Sequence, residues 1–272
     1  MTNATKRLLS EKDIFAEDLC ISRVFAAVTG TKTAQDVHRA RVLVKQLRAR
    51  LKLLSAFLPD KDIITRIDNE LRTFNQSLSH LRDFEVVSET LQELTQNRHG
   101  KKLAKIVLEL QGYFRVKIQQ EKSQTDSLQH QAEQIIRDLQ QLRNIELHHR
   151  DVHHYLEKEL RICCKSGEAA LKNEKCTKLH KWRKMIKALL YQYQILEATD
   201  KNRLKYSVPL NKLGKRLGKV HDYCFIRDLI GNIQQETQLN HDTTPLLNLL
   251  EKEKRNQLAK ARKLQHKMCT AG

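Results

Sequence analysis

The chain of 272 residues is long enough for one large domain or two small ones. Its 50 Lys and Arg against 32 Asp and Glu leave a formal charge of +18, which excludes cationic partners and points to nucleic acid, an acidic membrane or polyphosphate. With 8 Gly, 3 Pro and no alternating apolar run, the composition excludes a β-rich fold and predicts an all-α one.

No apolar run reaches the length of a membrane span. The opening residues MTNATKRLLSEKDIF hold no apolar signal core, so a cytoplasmic protein is expected. The 6 cysteines are scattered and do not form a disulfide framework, so reduced thiols are expected.

Taken in order, Ser10-Glu11-Lys12-Asp13 reads as a capping box with Asp at its last position. A first helix then runs to about Val28 and stops at Gly30. Thr31 to Thr33 cap the second helix, which ends before Pro59. A third begins at Asp60 and continues through Leu71, Phe74, Leu78 and Leu81 to about Leu94. A fourth spans Lys101 to about Leu147, with a polar interruption at Ser123 to Ser127. The fifth covers Asp151 to Leu171. The sixth follows the break at Asn173 to Lys175 and ends near Asp200. The seventh runs from Pro209 to Gln234. Asp242-Thr243-Thr244-Pro245 opens an eighth that ends near Met268, since Pro suits a first helical turn.

The second helix, Val37 to Leu58, carries two stripes. Val37, Ala40, Val44, Leu47, Leu51 and Leu54 recur at the spacing of a buried helix face. His38, Arg41, Lys45, Arg48 and Lys52 follow one residue later, about 100° around the axis, on the shoulder of that face. No acidic residue occurs between Asp36 and Asp60. Like charges one turn apart repel, so an anion from the fold or a ligand is required to offset them.

The pattern recurs. Leu179 to Tyr193, LHKWRKMIKALLYQY, aligns His180 on His38, Arg183 on Arg41, Lys187 on Lys45 and Leu189 on Leu47. Leu81-Arg82-Asp83-Phe84 follows the first segment, and Val220-His221-Asp222-Tyr223 follows the second at a similar distance. Two segments repeated in one order indicate an internal duplication, with repeats at 10–147 and 151–268 of a single domain over 1–272. Gly214 and Gly218 share a face of the seventh helix, and their small counterparts are Asn75 and Ser79. The expectation there is close approach of another helix backbone.

These segments, VHRARVLVKQLR, LRDFEV, LHKWRKMIKALLYQ and LGKRLGKVHD, resemble the CHAD family, the conserved histidine α-helical domain, across about Ser10 to Met268. The resemblance implies two pseudo-symmetric four-helix bundles around a basic central groove or pore. It also implies binding of inorganic polyphosphate, with targeting to polyphosphate granules. The contacts it implies are His38, Arg41, Lys45 and Arg48 in the first half and His180, Arg183 and Lys187 in the second. Arg82 and His221 match the positions before the repeated Asp. Lys52 extends the first stripe. Lys184, Lys215 and Lys219 join the candidate set without support from the motif. Val44 and Leu190 stand where many members have a further cation, which points to a weaker second-half grip.

Such a site suits a polymer with about one negative charge per phosphate, by analogy with a nucleic-acid backbone. Arg grips phosphate oxygens as a fork and Lys acts as a mobile point charge. Free phosphate or sulfate ions would suit the same positions. Asp83 and Asp222 read as partners orienting Arg or His rather than as metal ligands. His149 with His153, and Cys176 with His180, each place two ligand types on one helix face, but no adjacent set completes four at a known spacing, so no metal is assigned.

Two other functions compete with polyphosphate binding. RNA or single-stranded DNA binding suits the charge, yet aromatic residues are only 5% and interleave with a stripe only at Trp182 and Tyr191, where base-stacking platforms are needed. A polyphosphate-processing enzyme would need a carboxylate-bound metal or an activated nucleophile, and neither His motif supplies one.

Overall fold

The computed structural model describes residues 8–15, 25, 33–59, 61–96, 101–121, 126–142, 145–199, 206–236, 239 and 241–270. Within them the all-α expectation holds. Apart from the single turn α1 (Glu11–Ile14), nine helices occur among the described residues: α2 (Ala34–Leu54), α3 (Asp62–Ser77), α4 (Ser79–Gln96), α5 (Lys101–Glu121), α6 (Asp126–Leu139), α7 (His149–Asn173), α8 (Cys176–Thr199), α9 (Ser207–Glu236) and α10 (Thr244–Thr270). The helix expected up to Val28 falls largely outside the described residues.

Local chemistry sets several of these ends. The Ser10 and Asp13 capping box forms: the Ser10 amide donates to Asp13 at 2.9 Å and the Asp13 amide to the Ser10 hydroxyl at 3.3 Å. Thr33 caps α2 by accepting from the Asp36 amide at 3.2 Å. Asp242 accepts from the Thr244 amide at 3.0 Å where α10 begins.

Two expectations are corrected. The single helix expected over 60–94 is broken at Leu78 into α3 and α4. Thr73 and Ser77 donate their hydroxyls to the carbonyls of Asn69 and Thr73 at 3.1 and 3.3 Å, a local competition that bends helices. The end of the expected fourth helix is instead a strand. Residues Glu146–His148 (β2) pair antiparallel with Leu8–Ser10 (β1), opposing Leu9 to Leu147. Both leucines are buried, and the partner strand lies so far away in sequence that no local pattern reports it.

Two compact units are assembled from interleaved stretches of chain. The first comprises 1–79, 124–164 and 185–211. In it α3 packs on both α2 and α6. All six residues of the α2 apolar stripe are buried, as are Ile64, Ile67, Leu71 and Phe74 of α3. Phe74 meets Phe25 with ring centroids 4.8 Å apart. Gln192 donates to the Ala49 carbonyl at 2.8 Å, tying α8 to the α2 backbone. On α3 Glu70 lies beside Asp138 of α6. Burial first, and then the Asp138 charge, raise its carboxyl above the ordinary range, while Arg66 opposes the shift.

The second unit comprises 80–123, 165–184 and 212–272. One core cluster draws Val87, Leu91 and Leu94 from α4, Ile106, Val107 and Leu110 from α5, Tyr223, Ile226, Ile230 and Ile233 from α9, and Leu246, Leu249 and Leu250 from α10. Each set follows the spacing of one helix face. Elsewhere in this unit Trp182 of α8 is fully buried, above Gly167 of α7. No helix among the described residues is long and apolar enough to cross a membrane.

Candidate anion-binding site

The cationic residues singled out from the sequence fall into two sets, one in each unit. In the first unit α2 presents them as the spacing predicts. His38, Lys45 and Lys52 are exposed, and Arg41 and Arg48 are half-buried along the shoulder of the apolar stripe. The fold supplies part of the counter-charge that the run of cations requires. Arg48 forms a two-bond fork on Asp68 of α3, at 2.7 and 3.0 Å. Lys52 reaches Glu159 of α7 at 2.6 Å. These two acids were not legible in the sequence, because they come from other helices. Lys187, on the part of α8 that belongs to this unit, lies over the Tyr191 ring with Nζ 6.0 Å from its centroid.

In the second unit the motif residues of α8 and α9 meet along one seam. His180 and His221 bring their Nδ1 atoms to 3.1 Å, with ring centroids 4.3 Å apart. One turn further along α8, the Arg183 guanidinium lies over Gly218. One turn the other way, Cys176 is joined to Cys224 by a disulfide, Cα to Cα 6.3 Å. As residue numbers climb along α8 through 176, 180 and 183, they descend along α9 through 224, 221 and 218. The two helices therefore run antiparallel here and meet once per turn. The disulfide corrects the expectation of reduced thiols at these two positions, and the same expectation fails at Cys164 and Cys269, which are also disulfide-bonded. Cys176 and Cys224 are 48 residues apart, and only this register brings them together.

Gly218 also departs from expectation. The group facing it is a side chain, not a helix backbone: an added Cβ would sit 3.7 Å from Arg183 Nε and 3.9 Å from Nη2, ordinary contact distances. Gly218→Ala should therefore raise stability by about 1 kcal/mol, the usual gain for Gly to Ala inside a helix. A higher urea midpoint at unchanged slope would show it; a lower midpoint would mean that the guanidinium has no room to give.

Arg183 Nε is buried and has no hydrogen-bond partner in the fold. A buried cationic donor left this way has an unmet demand for an acceptor. Lys184 and Lys215 are exposed on the same two helices. Lys219 is held by Glu93 of α4 at 2.8 Å. Tyr223, one turn beyond Lys219, is pushed up to about 12 by burial and by the charges of Glu253, Glu93 and Asp222, so it stays a neutral phenol. Arg82 and Asp83 lie in α4 with side chains outside the described residues. Trp182 and Tyr191, considered from the sequence as core or groove-wall residues, are both buried.

A protein-family model, the CHAD domain, matches residues 18–231, most of the chain. No curated protein matches the chain, and no solved structure does.

Proposed function

The chain belongs to the CHAD domain family, a family associated with polyphosphate binding, and from that premise we propose that it binds inorganic polyphosphate without catalysing a reaction on it. The observation that carries the reading is the α8–α9 seam, where the partnerless Nε of Arg183 lies one turn from the His180–His221 pair. A phosphate oxygen would satisfy that donor, and a guanidinium fork matches phosphate geometry. His38, Arg41, Lys45 and Arg48 on α2 and Lys187 on α8 are the corresponding contacts in the first unit. His180, Arg183 and His221 serve in the second, with Lys184 and Lys215 as mobile counter-charges. Lys52, Lys219 and Arg48 contribute less, because each is already engaged by a carboxylate. Arg82 remains in the set on its motif position alone.

Burial of the two aromatic residues that interleave with the second cationic stripe supports polyphosphate over single-stranded nucleic acid. Trp182 and Tyr191 cannot serve as stacking platforms from inside the core. The exposed large apolar side chains among the described residues, Leu8, Leu108, Ile162 and Val208, are all aliphatic. A polymer read only by its phosphates needs no such platform.

The test is a pull-down on polyphosphate of graded length, with RNA as competitor at equal charge concentration. Affinity should rise with polymer length and then level, RNA should fail to displace the polymer, and Mg²⁺ should elicit no phosphate release. Displacement by RNA would favour the nucleic-acid reading, and phosphate release would make the protein an enzyme. Localisation at polyphosphate granules is the cellular role this activity fits.

A further inference from the structure

We propose that Cys176 and Cys224 are a reversible redox pair in which Cys176 is the sulfur that reacts, with a hydroperoxide to close the pair and with a dithiol to open it. Closure orders the start of α8 along the α9 seam. The pair stands on its own observations; only its consequence for polyphosphate rests on the polyphosphate reading.

The seam ends in this bond. Cys176 lies four residues before His180 on α8, and Cys224 lies three after His221 on α9, about one helical turn in each case. The rungs of the seam are therefore the disulfide, the His180–His221 pair and Arg183 over Gly218. The motif residues supply the second and third rungs, and the first has no part in the motif.

The two cysteines differ in access and in surrounding charge. Cys224 is buried in the middle of α9, whereas Cys176 is half-buried and is the first residue of α8. A small reagent reaches Cys176 first. A helix N-terminus and neighbouring cations favour thiolate over thiol. Lys175 and Lys178 are exposed on either side of Cys176, and no acid stands in the first turn of α8. Of the acids nearby, Glu174 is held by Arg262 of α10 at 2.5 Å, and Asp222 lies two residues before Cys224. The thiolate is the form that attacks a peroxide, so Cys176 reacts and Cys224 resolves.

The same charges give the bond a structural consequence. Cations at a helix N-terminus oppose its dipole, and Lys178 and Lys181 lie in the first two turns of α8. The corner before them adopts an uncommon conformation: Glu174 has a φ of 52°, in the left-handed region that residues with a side chain rarely enter. Arg262 pins this corner from α10, through Glu174 and through the Leu171 carbonyl at 2.7 Å. The disulfide pins it from α9. Opening the bond leaves the first turn of α8 without its covalent tether, and the rungs beyond it lose their fixed register.

In closing, the Cys176 thiolate takes one oxygen from the hydroperoxide, giving a sulfenic acid and, with one proton, an alcohol. The Cys224 thiol then displaces that oxygen as water, and the S–S bond forms. In opening, a thiolate of the dithiol attacks the Cys176 sulfur, and Cys224 leaves and takes a proton. The second thiol of the reagent then displaces Cys176, which also ends as a thiol, and the reagent becomes a cyclic disulfide.

The experiment uses the full chain, with tert-butyl hydroperoxide and dithiothreitol as reagents. Mass spectrometry after differential alkylation reads Cys176 and Cys224 separately from Cys164 and Cys269, which are also disulfide-bonded. Hydroperoxide should close the Cys176–Cys224 bond in the reduced chain, and dithiothreitol should reopen it. A dione that traps sulfenic acid should label Cys176 in Cys224→Ser about tenfold more than Cys224 in Cys176→Ser, the ratio expected for a thiol acidity shifted by one unit. Amide hydrogen exchange over 176–180 should be faster in the open chain than in the closed one, and the double Cys176→Ser, Cys224→Ser variant should not respond to either reagent there. Polyphosphate affinity should fall by about tenfold on opening, within the ordinary range for coupled sites. Alanine replaces serine in any variant that circular dichroism shows to be unfolded. A bond that dithiothreitol leaves closed, or equal labelling of the two sulfurs in folded variants, would overturn the redox pair. Equal exchange over 176–180 in the two states would overturn the ordering of α8. Absence of polyphosphate binding in both states would overturn the proposed function instead, while the thiol and exchange readouts still decide the pair.

Discussion

Reversing two charges, Arg41→Glu together with Arg183→Glu, lowers affinity for long-chain polyphosphate by about a hundredfold at low salt while leaving far-UV circular dichroism unchanged. The figure follows from losing one charge-assisted contact in each unit, at about 1.4 kcal/mol apiece. Arg48 is left unchanged because it is bound to Asp68, and its substitution would report on stability as much as on binding. The dependence of affinity on salt should also flatten, since about two fewer counter-ions leave the polymer on binding. Arg41→Lys with Arg183→Lys keeps the charge and loses the fork, so it should bind with intermediate affinity. Wild-type affinity in the charge-reversed protein would remove both clusters from the binding site.

Gly167→Ala destabilises the fold by about 2 kcal/mol. A Cβ at this position would lie 2.6 Å from both Cε2 and Cζ2 of Trp182 and 2.9 Å from its Nε1. The indole is fully buried, so its rings have nowhere to move. Overpacking of a well-filled core costs about 1–3 kcal/mol, an approach of 2.6 Å to a rigid ring belongs at the upper end of that range, and the helix-propensity gain of Ala offsets about 1 kcal/mol of it. The urea midpoint should fall at unchanged slope. Trp182→Phe in the same chain should recover part of the loss, because the two positions are coupled. A midpoint equal to the wild type would mean that the indole does not sit over Gly167.

The comparison with Gly218 is instructive, because one substitution has opposite expected signs in two helices. Both glycines lie inside helices where propensity alone favours Ala. The difference is the neighbour: a rigid indole at 2.6 Å in one case, a guanidinium at 3.7 Å in the other. The sequence drew attention to Gly218 through its spacing with Gly214 and passed over Gly167, where the tighter contact lies.

What was legible came from local periodicity. The α2 stripe Val37, Ala40, Val44, Leu47, Leu51 and Leu54 was read from spacing alone, and all six residues are buried. The cap at Ser10 was read from residues three apart and that of α2 from the stretch Thr31 to Thr33; both form, the second at Thr33. The family was carried by two short motifs in a repeated order and is matched over 18–231. The break at Leu78 was missed because Leu71, Phe74, Leu78 and Leu81 keep helical spacing across it. The β1–β2 pair was missed because three residues are too few to establish a period.

Residue order by itself therefore determined most of the helical positions, the apolar face of α2 and where the cations lie beside it. Those properties depend on neighbours within one or two turns, and a turn repeats identically wherever the chain places it. Tertiary structure alone decided which cation meets an acid, that His180 meets His221, and that Cys176 meets Cys224. Such pairings depend on the register between helices joined by long stretches of chain. Register is set by packing of the whole face, and no local spacing encodes it.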